Sequence, residues 1–505
     1  MLDIKHLTIQ HTHSDRTLIS NLSFTIQPKE KVVIIGEEGN GKSTLLKWLA
    51  DPSMINDYCT YQGTRIIKGL IGYLPQFMAK QDQQLLLNQY FQSYNAYNHL
   101  DVLTQLSLPI DLLQSNQQIS SLSGGEKIKV QLARLLFDQV DVLLLDEPTN
   151  DLDIDTLRWL ETFINQSSYT ILYISHDQTL IKQTATKIIH LEQLHRKQQP
   201  KATIVQCSYD EYLSRRDGLY QRFTSIATKQ RAEAAKQMEK YRQIYQRVEH
   251  EQRTITRQDP SKGRLLKKKM KSVKAMGRRF EKQEEEFIDF PEIENAIITR
   301  FDPTVIIPNG KTVLNFQLDT LSIHDRVLAT RLKLQVMGPR KIGIIGQNGV
   351  GKSTLLNLLY EQMRYRMDII IGYMPQNYAA VLPYEKSAVE FLVPSQRKEE
   401  VTNARTYLGN LNFTPHEMMS KIKQLSGGQQ AKLLYLNMVL TRANVLILDE
   451  PTRNFSPLSV SVVNEALRDF GGAIISISHD RSYLKQVCDE VYQLDNNGLY
   501  LVCNL

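Results

Sequence analysis

The chain has 505 residues, of which 42% are hydrophobic and 23% charged, and its formal net charge is +7. This composition is ordinary for a globular protein, and the length predicts about three domains. No apolar run approaches the roughly 18 residues of a membrane span, and the N-terminal MLDIKHLTIQ lacks a signal-peptide pattern, so we expect a cytoplasmic protein. The four cysteines are scattered without a Cys-x-x-Cys pair, which argues against a disulfide framework and a zinc site.

The first elements of the chain lead into a phosphate-binding loop. Apolar residues predict strands over Leu2–Ile9, Leu22–Ile26 and Lys31–Ile35, and the last runs into GEEGNGKST at residues 36–44. This is the pattern G-x-x-x-x-G-K-[ST], in which glycine N–H groups surround phosphate oxygens, the lysine neutralises the β and γ phosphates and the serine reaches Mg²⁺. The residues predicted to bind the nucleotide here are Gly36, Gly39, Gly41, Lys42, Ser43 and Thr44.

The same loop returns in the second half of the chain as GQNGVGKST, after the apolar run Ile342–Ile345. Its predicted nucleotide-binding residues are Gly346, Gly349, Gly351, Lys352, Ser353 and Thr354. Each loop is followed by a strand that ends in a glutamine, Gln76 in IGYLPQ and Gln376 in IGYMPQ. A glutamine after a strand is usually a surface residue, but its recurrence before a carboxylate strand favours a metal or water contact.

Residues 122–153, LSGGEKIKVQLARLLFDQVDVLLLDEPTNDLD, combine a Ser-Gly-Gly turn, a helical segment and a buried strand that ends in Asp146 and Glu147. Two carboxylates at the end of a strand suit Mg²⁺ binding and the orientation of a water molecule. The arrangement returns at residues 425–456, and Glu147 and Glu450 are 303 positions apart. We therefore assign Asp146 and Asp449 to the metal, and Glu147 and Glu450 to polarising the attacking water.

A histidine follows a further apolar strand in each half, His176 in YTILYISHD and His479 in GAIISISHD. A lone histidine after such a strand is more often a satisfied core residue. Two histidines at the same separation of 303 positions favour contacts to the γ-phosphate of a nucleotide.

Phosphate loop, glutamine, LSGG turn, LLLDEPTNDLD and ISHD, in that order and twice in one chain, resemble tandem ATP-binding cassettes. The resemblance covers nearly the whole chain, and it implies two α/β P-loop ATPase domains packed head to tail as an intramolecular sandwich. Each ATP then lies between the phosphate loop of one cassette and the LSGG turn of the other. One implied site joins Lys42 and its partners to Ser426, Gly427 and Gly428, and the other joins Lys352 and its partners to Ser123, Gly124 and Gly125.

The segment between the cassettes contains no proline from Pro200 to Pro260 or from there to Pro291, which permits two long helices around a turn at Gln258–Gly263. Apolar residues at spacings of three, four or seven predict the seam of an antiparallel helical hairpin. They are Tyr220, Phe223, Ala227, Ala234, Met238, Tyr241, Tyr245 and Val248 in the first helix, and Leu266, Met270, Val273, Phe280 and Phe287 in the second.

This hairpin is strongly basic. Residues 211–280 contain 20 Lys+Arg against 7 Asp+Glu, a net charge of +13, which leaves −6 for the rest of the chain. A run of charge is usually only a solvated face, but basic residues concentrated at the tip of a projecting element favour a phosphate backbone as the partner. The candidate nucleic-acid contacts are Arg257, Lys262, Arg264, Lys267, Lys268, Lys269 and Lys271.

Tandem cassettes joined by a long basic helical hairpin resemble the ABC-F family, whose members act on the ribosome. The resemblance implies an ATP-bound form at the ribosomal exit (E) site, contacting rRNA, with the hairpin directed at the P-site tRNA and the peptidyl-transferase centre. Translation factors of the family often carry an extra arm before the first LSGG turn, and some carry a C-terminal coiled coil. Here Gln76 precedes Leu122 by only 46 positions, and the chain stops soon after the second ISHD. This favours the ribosomal-protection, antibiotic-resistance branch over a housekeeping translation factor.

The second cassette departs from the family pattern. It reads EPTRNFSPLS where the first reads EPTNDLD, so Arg453 stands opposite Asn150 and Ser456 opposite Asp153. The aspartate at that position ordinarily helps to couple the two sites, so we expect the site of Lys42 to be altered in coupling or rate. Arg134 after the first LSGG turn is matched by Asn437. The adenine-stacking residue is open, with His11, His13 and His324 as candidates.

We therefore predict cassettes at residues 1–205 and 295–505, joined by a hairpin at 206–294, with ATP and Mg²⁺ as cofactors. Two other function classes remain open. The ATPase subunit of a transporter needs a separate membrane protein and gives the basic hairpin no purpose. A DNA-associated ATPase of repair or architecture explains the basic hairpin, but such proteins usually carry zinc sites or much longer coiled coils.

Overall fold

A computed structural model of the chain describes residues 1–12, 16–150, 152–194, 199–254, 260–284, 300–323, 326–395 and 397–502. The chain divides into two compact units, Met1–Tyr209 together with Glu294–Leu505, and Asp210–Ile293. The first unit holds both cassettes, and the second holds the helices between them. In the described part of the chain, no helix is both long and apolar enough to cross a membrane.

The first cassette contains two sheets. Its strands are β1 Leu2–His11, β2 Thr17–Ile26, β3 Lys31–Ile35, β4 Cys59–Ile67, β5 Ile71–Leu74, β6 Val142–Asp146, β7 Thr170–Ile174, β8 Lys187–Gln193 and β9 Gln199–Val205. One sheet is antiparallel with the order β2-β1-β4, and the other has the order β5-β6-β7-β3-β8-β9, in which only the β8–β9 pair is antiparallel.

The central strands β3, β6 and β7 are buried at every residue, which explains why they read as continuous apolar runs rather than alternating ones. One core of this cassette packs the inner faces of β1 and β2 against β3 and the first helix, with Trp48 fully enclosed. The helices are α1 Lys42–Ala50, α2 Lys80–Gln84, α3 Leu87–Tyr90, α4 Leu100–Gln105, α5 Ile110–Leu113, α6 Gly124–Phe137, α7 Ile154–Gln166 and α8 Gln178–Thr184.

The helical segment between the cassettes consists of α9, Tyr209–Thr254, and α10, Pro260–Glu284. Val248 on α9 packs against Met270 and Val273 on α10, and Gln252 Nε2 donates to the Leu266 carbonyl at 3.1 Å. Contacts between residues late in α9 and early in α10 show that the two helices run antiparallel. The predicted long helical insert between the cassettes is therefore present.

Two details of the predicted hairpin are wrong. The turn predicted at Gln258–Gly263 overlaps α10, which begins at Pro260, because proline is compatible with the first turn of a helix, where its missing N–H has no helical partner. Tyr220 and Phe223, predicted to lie in the seam, are 38% and 40% exposed. Helical spacing selects one face of a helix without showing how far along it the partner helix reaches. Phe287 lies outside the described residues.

The second cassette repeats the plan of the first. Its strands are β10 Thr312–Ile323, β11 Arg326–Met337, β12 Lys341–Ile345, β13 Ile371–Met374, β14 Val445–Asp449, β15 Ala473–Ile477, β16 Glu490–Asp495 and β17 Gly498–Val502. The large sheet has the order β13-β14-β15-β12-β16-β17, and β10 pairs with β11 in an antiparallel sheet. The helices are α11 Lys352–Met363, α12 Ala388–Leu392, α13 Lys398–Asn410, α14 Pro415–Met419, α15 Gly427–Leu440, α16 Pro457–Arg468 and α17 Arg481–Val487. The predicted α/β class with two repeated nucleotide-binding units is confirmed.

The hairpin seam generates a stability prediction at Gly277. A Cβ there would lie 2.6 Å from Tyr241 Oη and 2.8 Å from its Cζ, whereas a Cβ at Gly218 would meet nothing within 4 Å. Gly277→Val should cost about 1–3 kcal/mol because it overpacks the seam, and the matched Gly218→Val should be nearly neutral. Hydrogen exchange of α9 and α10 in the full chain measures the difference. Equal protection of the two variants would contradict this packing.

Candidate nucleotide sites

The phosphate loop of the first cassette joins β3 to α1. Gly41 caps α1 in the left-handed conformation with φ 90°, which glycine adopts at no steric cost. Lys42 begins the helix and is buried, and its Nζ donates to the carbonyls of Gly36 at 2.8 Å and Glu37 at 3.0 Å. The loop thus curls around its own ammonium group, at the N-terminus of a helix, where anions are favoured.

The second loop has the same geometry. Gly351 caps α11 with φ 101°, and Lys352 Nζ donates to the carbonyls of Gly346 at 2.8 Å and Gln347 at 2.9 Å. Burial lowers the pKa of Lys352. In both cassettes a desolvated cation and a helix N-terminus therefore face one cavity, which suits the phosphates of a nucleotide.

A hydroxyl and a carboxylate meet at the mouth of each loop. Ser43 Oγ donates to Asp146 Oδ1 at 2.9 Å, and the Tyr73 hydroxyl donates to Asp146 Oδ2 at 3.2 Å. Burial raises the pKa of Asp146. Burial also raises the pKa of Asp449, although the hydrogen bond from Ser353 acts in the opposite direction. Gln76 and Gln376 line the two cavities. Such sets of neutral and anionic oxygen donors fit Mg²⁺, which prefers oxygen ligands.

The two glutamates after these aspartates have strained backbones. Glu147 and Glu450 adopt φ of 51° and 52°, a region that few residues other than glycine occupy. Strain of this kind costs on the order of 1–3 kcal/mol and gathers at functional sites, where the surrounding structure maintains it. The strained turn follows the buried strand directly and places each glutamate beside the histidine of the neighbouring strand.

The glutamate–histidine pairs differ between the cassettes. His176 Nε2 lies 2.9 Å from Glu147 Oε1, whereas His479 Nε2 lies 3.8 Å from Glu450 Oε1. Burial opposes ionisation of Glu147, but His176 and Lys42 overcome it and hold the pKa of Glu147 below its usual value. Burial and the neighbouring Asp449 raise the pKa of Glu450 to about 8, and burial lowers the pKa of His479 to about 4. The two sites are therefore electrostatically unequal.

Both cavities lie between the cassettes. The cavity at Lys352, about 1000 Å³, is also lined by Gly124 and Lys127 from the first LSGG segment. The cavity at Lys42, about 650 Å³, is lined by Arg453 and Asn454 of the second cassette. Each phosphate loop thus faces the opposite cassette, as a head-to-tail arrangement requires.

The serines of the LSGG turns cap their own helices. Ser123 Oγ accepts from the Glu126 N–H and Ser426 Oγ from the Gln429 N–H, both at 3.3 Å, which begins α6 and α15. Gly428 N–H donates to the Glu38 carboxylate of the first phosphate loop, and Gly427 lies beside it, since a Cβ on it would be 3.5 Å from Glu38 Oε1. Gly125 packs against Thr156.

Sequence reasoning missed four residues at these sites. Arg16 and Arg326 line the two cavities, and Arg16 donates to the Gly39 carbonyl at 3.1 Å. Their separation of 310 positions equals that of Lys42 and Lys352, a signal that was available in the sequence. Glu37 and Glu38 contact the second cassette, and the signal there was their replacement by the neutral Gln347 and Asn348 in the second loop.

The remaining candidates are placed as follows. His11 and Tyr58 both line the first cavity, while His13 and His324 lie outside the described residues. Arg264, Lys267, Lys268, Lys269 and Lys271 are exposed on α10. Arg257 and the side chain of Lys262 lie outside the described part of the chain. Arg453, which stands opposite Asn150, lines both cavities.

The inequality of the sites predicts unequal single mutants. If Glu147 and Glu450 polarise the attacking water as the sequence predicts, Glu147→Gln leaves only Glu450 in that role. Glu450→Gln leaves only Glu147, at whose site the Gly428 N–H is occupied by Glu38. We expect residual ATP turnover to be roughly fivefold lower in Glu450→Gln, a difference of about 1 kcal/mol in barrier. Steady-state phosphate release from the two variants under identical conditions measures this. Indistinguishable rates would mean that the departures from symmetry are neutral.

The comparisons with known proteins agree with this geometry. The family model described as ABC transporter matches residues 19–150 and 329–453, together about half of the chain. The chain is 27% identical to the probable ATP-binding protein YheS of Haemophilus influenzae, over 97% of this chain and 79% of that protein. It is 29% identical to the ATP-binding protein Uup of Buchnera aphidicola, over 96% and 79%. ABC transporter F family member 5 of Arabidopsis thaliana is 24% identical, over 98% and 75%.

Among solved structures, the fold is similar to the archaeal ribosome recycling factor aABCE1 in its complex with the ribosomal stalk protein aP1. The TM-score is 0.60 at 16% identity, and the alignment covers 98% of this chain and 89% of that one. The structure described as RNase-L Inhibitor gives 0.58 at 17% identity, over 98% and 89%. These likenesses establish two cassettes in one fold. The chain belongs to the ATP-binding cassette family and, within it, is a tandem-cassette ATP-binding protein of the ABC-F type.

Proposed function

We propose that this ABC-F protein hydrolyses ATP in the two cavities between its cassettes and uses the ATP-bound state to bind the ribosome at its E site. The basic helical hairpin carries this proposal. On α10 the buried side chains Leu266, Met270 and Val273 alternate with cations that are exposed to solvent. One face of the helix thus packs in the seam, and the other presents positive charge to solvent. A basic surface of this kind suits a phosphate backbone.

In the proposed reaction each residue has one task. Lys42 and Lys352 bind phosphate oxygens, and Glu147 and Glu450 hold the attacking water from the strained turn after each carboxylate strand. His176 and His479 orient the glutamates and face the γ-phosphate. Mg²⁺ bound by Ser43, Gln76 and Asp146, or by Ser353, Gln376 and Asp449, would neutralise charge on the phosphate oxygens. The N–H groups of the opposite LSGG turn close each site.

On the ribosome, we assign the hairpin to the P-site tRNA and the peptidyl-transferase centre, with rRNA as the main contact of α10. The relatives support ATP binding in a tandem-cassette protein, and one structural neighbour is described as a model of ribosome-bound archaeal Pelota and ABCE1, with a TM-score of 0.57. In a transporter subunit the exposed cations would have no function. Sedimentation of the protein with ribosomes, compared with its binding to naked DNA, distinguishes the ribosomal function from that of a DNA-associated ATPase.

Ribosomal protection against antibiotics is the finer proposal. The connection between Gln76 and the first LSGG turn contains only short helices, α2 to α5, the longest being Leu100–Gln105. A compact connection leaves the hairpin as the element that reaches the functional centre. Expression in a susceptible host should lower susceptibility to drugs of the peptidyl-transferase region, and unchanged susceptibility to all such drugs would favour the housekeeping alternative.

The double variant Glu147→Gln/Glu450→Gln tests the ATPase and the ribosome together. Because the glutamates hold water rather than nucleotide, the variant should bind ATP normally and lose at least about 100-fold in turnover. It should remain closed, accumulate on ribosomes and slow growth. Ribosome pelleting with ATP is the measurement, and the control adds Lys42→Ala and Lys352→Ala, which should abolish the accumulation. Retained turnover, or equal pelleting of variant and control, would refute the proposal.

Salt dependence tests the hairpin. Each lysine that meets a phosphate releases a counterion on binding, so ribosome affinity should fall steeply with salt. Replacing Lys267, Lys268 and Lys269 by Gln should flatten the plot of log affinity against log salt by up to about 0.9 for each phosphate that a lysine no longer neutralises. The matched triple Lys→Arg variant keeps the charge and should keep the slope. Equal slopes for the Gln and Arg variants would show that these lysines are only a solvated face.

A further inference from the structure

The first phosphate loop carries two carboxylates that reach the second cassette. Glu37 Oε2 lies 3.0 Å from Lys432 Nζ on α15, and its Oε1 accepts from Ser456 Oγ at 2.6 Å and also from Ser459 Oγ. Lys432, Ser456 and Ser459 are buried. Although burial alone would raise it, these three partners lower the pKa of Glu37 to about 2. Glu37 is therefore ionised and is bound by complementary side chains of the other cassette.

The second carboxylate takes the N-terminus of a helix. Gly428 is the second residue of the 14-residue α15, and its N–H donates to Glu38 Oε2. The fit is close, since a Cβ on Gly428 would lie 2.8 Å from that oxygen. Free N–H groups at the start of a helix bind anions, and here the anion is a side chain of the opposite phosphate loop.

The other site is built with the charges exchanged. In that site the loop residue equivalent to Glu37 is the neutral Gln347. The residue equivalent to Ser456 is Asp153, which acts electrostatically on Lys352. At this pair of positions each site thus has one acidic residue, which is Glu37 of the phosphate loop in one site and Asp153 of the facing cassette in the other. An aspartate at position 456 would set a second carboxylate against Glu37, and like charges at that distance are unfavourable. Ser456 is thereby explained as the partner of Glu37.

We propose that Glu37 and Glu38 make the site of Lys42 a latched site that discriminates against the terminal phosphate of a nucleoside triphosphate. Glu37 anchors the loop on the second cassette. Glu38 occupies the Gly428 N–H group, one of the LSGG groups that close this site over the bound nucleotide in the proposed function, on which this inference rests. A triphosphate must displace Glu38 to complete the site, whereas a diphosphate binds beside it. The second site, with Asn348 in place of Glu38, carries no such competing charge.

Nucleotide selectivity tests Glu38. In full-length protein with Lys352→Ala, fluorescent ATP and ADP report the Kd of the first site alone. Glu38→Asn, which copies the second loop, should tighten ATP by about tenfold, the value of one charge-assisted hydrogen bond, and leave ADP within about twofold. Glu38→Asp, which keeps the charge, is the matched control and should keep the preference of the parent. An unchanged ATP-to-ADP ratio in Glu38→Asn overturns the proposal.

Hydrogen exchange in nucleotide-free protein tests the latch without any nucleotide. The peptide containing Gly428 should be protected in the parent and exchange at least about tenfold faster in Ser456→Asp, because repulsion of Glu37 opens the junction. Glu37→Gln/Ser456→Asp copies the pairing of the second site and should reverse part of that loss. Equal exchange in parent and Ser456→Asp overturns the latch. Absence of nucleotide binding at both sites overturns the proposed function instead, and the exchange result still decides the latch.

Discussion

The level at which the parallel strands end is the constraint on which both nucleotide sites depend. Ile174 of β7 is paired with Ile34 of β3 and with Asp146 of β6, so the three strands reach the same edge of the sheet together. The phosphate loop, Glu147 and His176 each follow within a few residues of that level. Three short buried strands therefore place a cation, two carboxylates and an imidazole around one point without any long-range loop. A one-residue slip of β6 would carry Asp146 away from Ser43 and destroy the oxygen pair.

The interface between the cassettes contains contacts at equivalent positions of the two repeats that differ in chemistry. Arg481, which follows the second ISHD motif, forms a buried ion pair with Glu161 of α7. The equivalent residue of the first repeat, Gln178, donates to Ser461 Oγ at 3.0 Å. A buried ion pair is costly to break from one side, since the remaining charge is left desolvated. The junction of Glu37 follows the same principle with a different partner. The two repeats thus face each other through unequal contacts.

Much of the site was predictable from the sequence because its chemistry requires short motifs at fixed spacing. The glycines, lysine and serine of a phosphate loop are local, and the strands before them are continuous apolar runs. What escaped depends on three-dimensional contacts or backbone strain. No sequence pattern predicts the positive φ of Glu147. The role of Glu38 depends on its contact with Gly428, which lies 390 positions away in the chain. The start of α10 was missed for a local reason, since Pro260 lies in the first turn of that helix rather than in the turn predicted at Gln258–Gly263.

The segment from Glu450 to Ser456 contributes residues to both candidate sites. Glu450 is the proposed base of the second site, Arg453 lines both cavities, and Ser456 binds Glu37 of the first loop. The Arg453 N–H donates to the Glu450 carbonyl at 3.2 Å and the Phe455 N–H to the Thr452 carbonyl at 3.2 Å, so two overlapping turns connect the residues of this segment. Displacing Glu37 from Ser456 would therefore act on a backbone segment that also carries Glu450, the proposed base of the second site. Physical coupling requires such a shared element, with two arrangements that both sites bias. The latch proposed above would have two such arrangements, held and released, so the substitutions that make the sites unequal would also couple them.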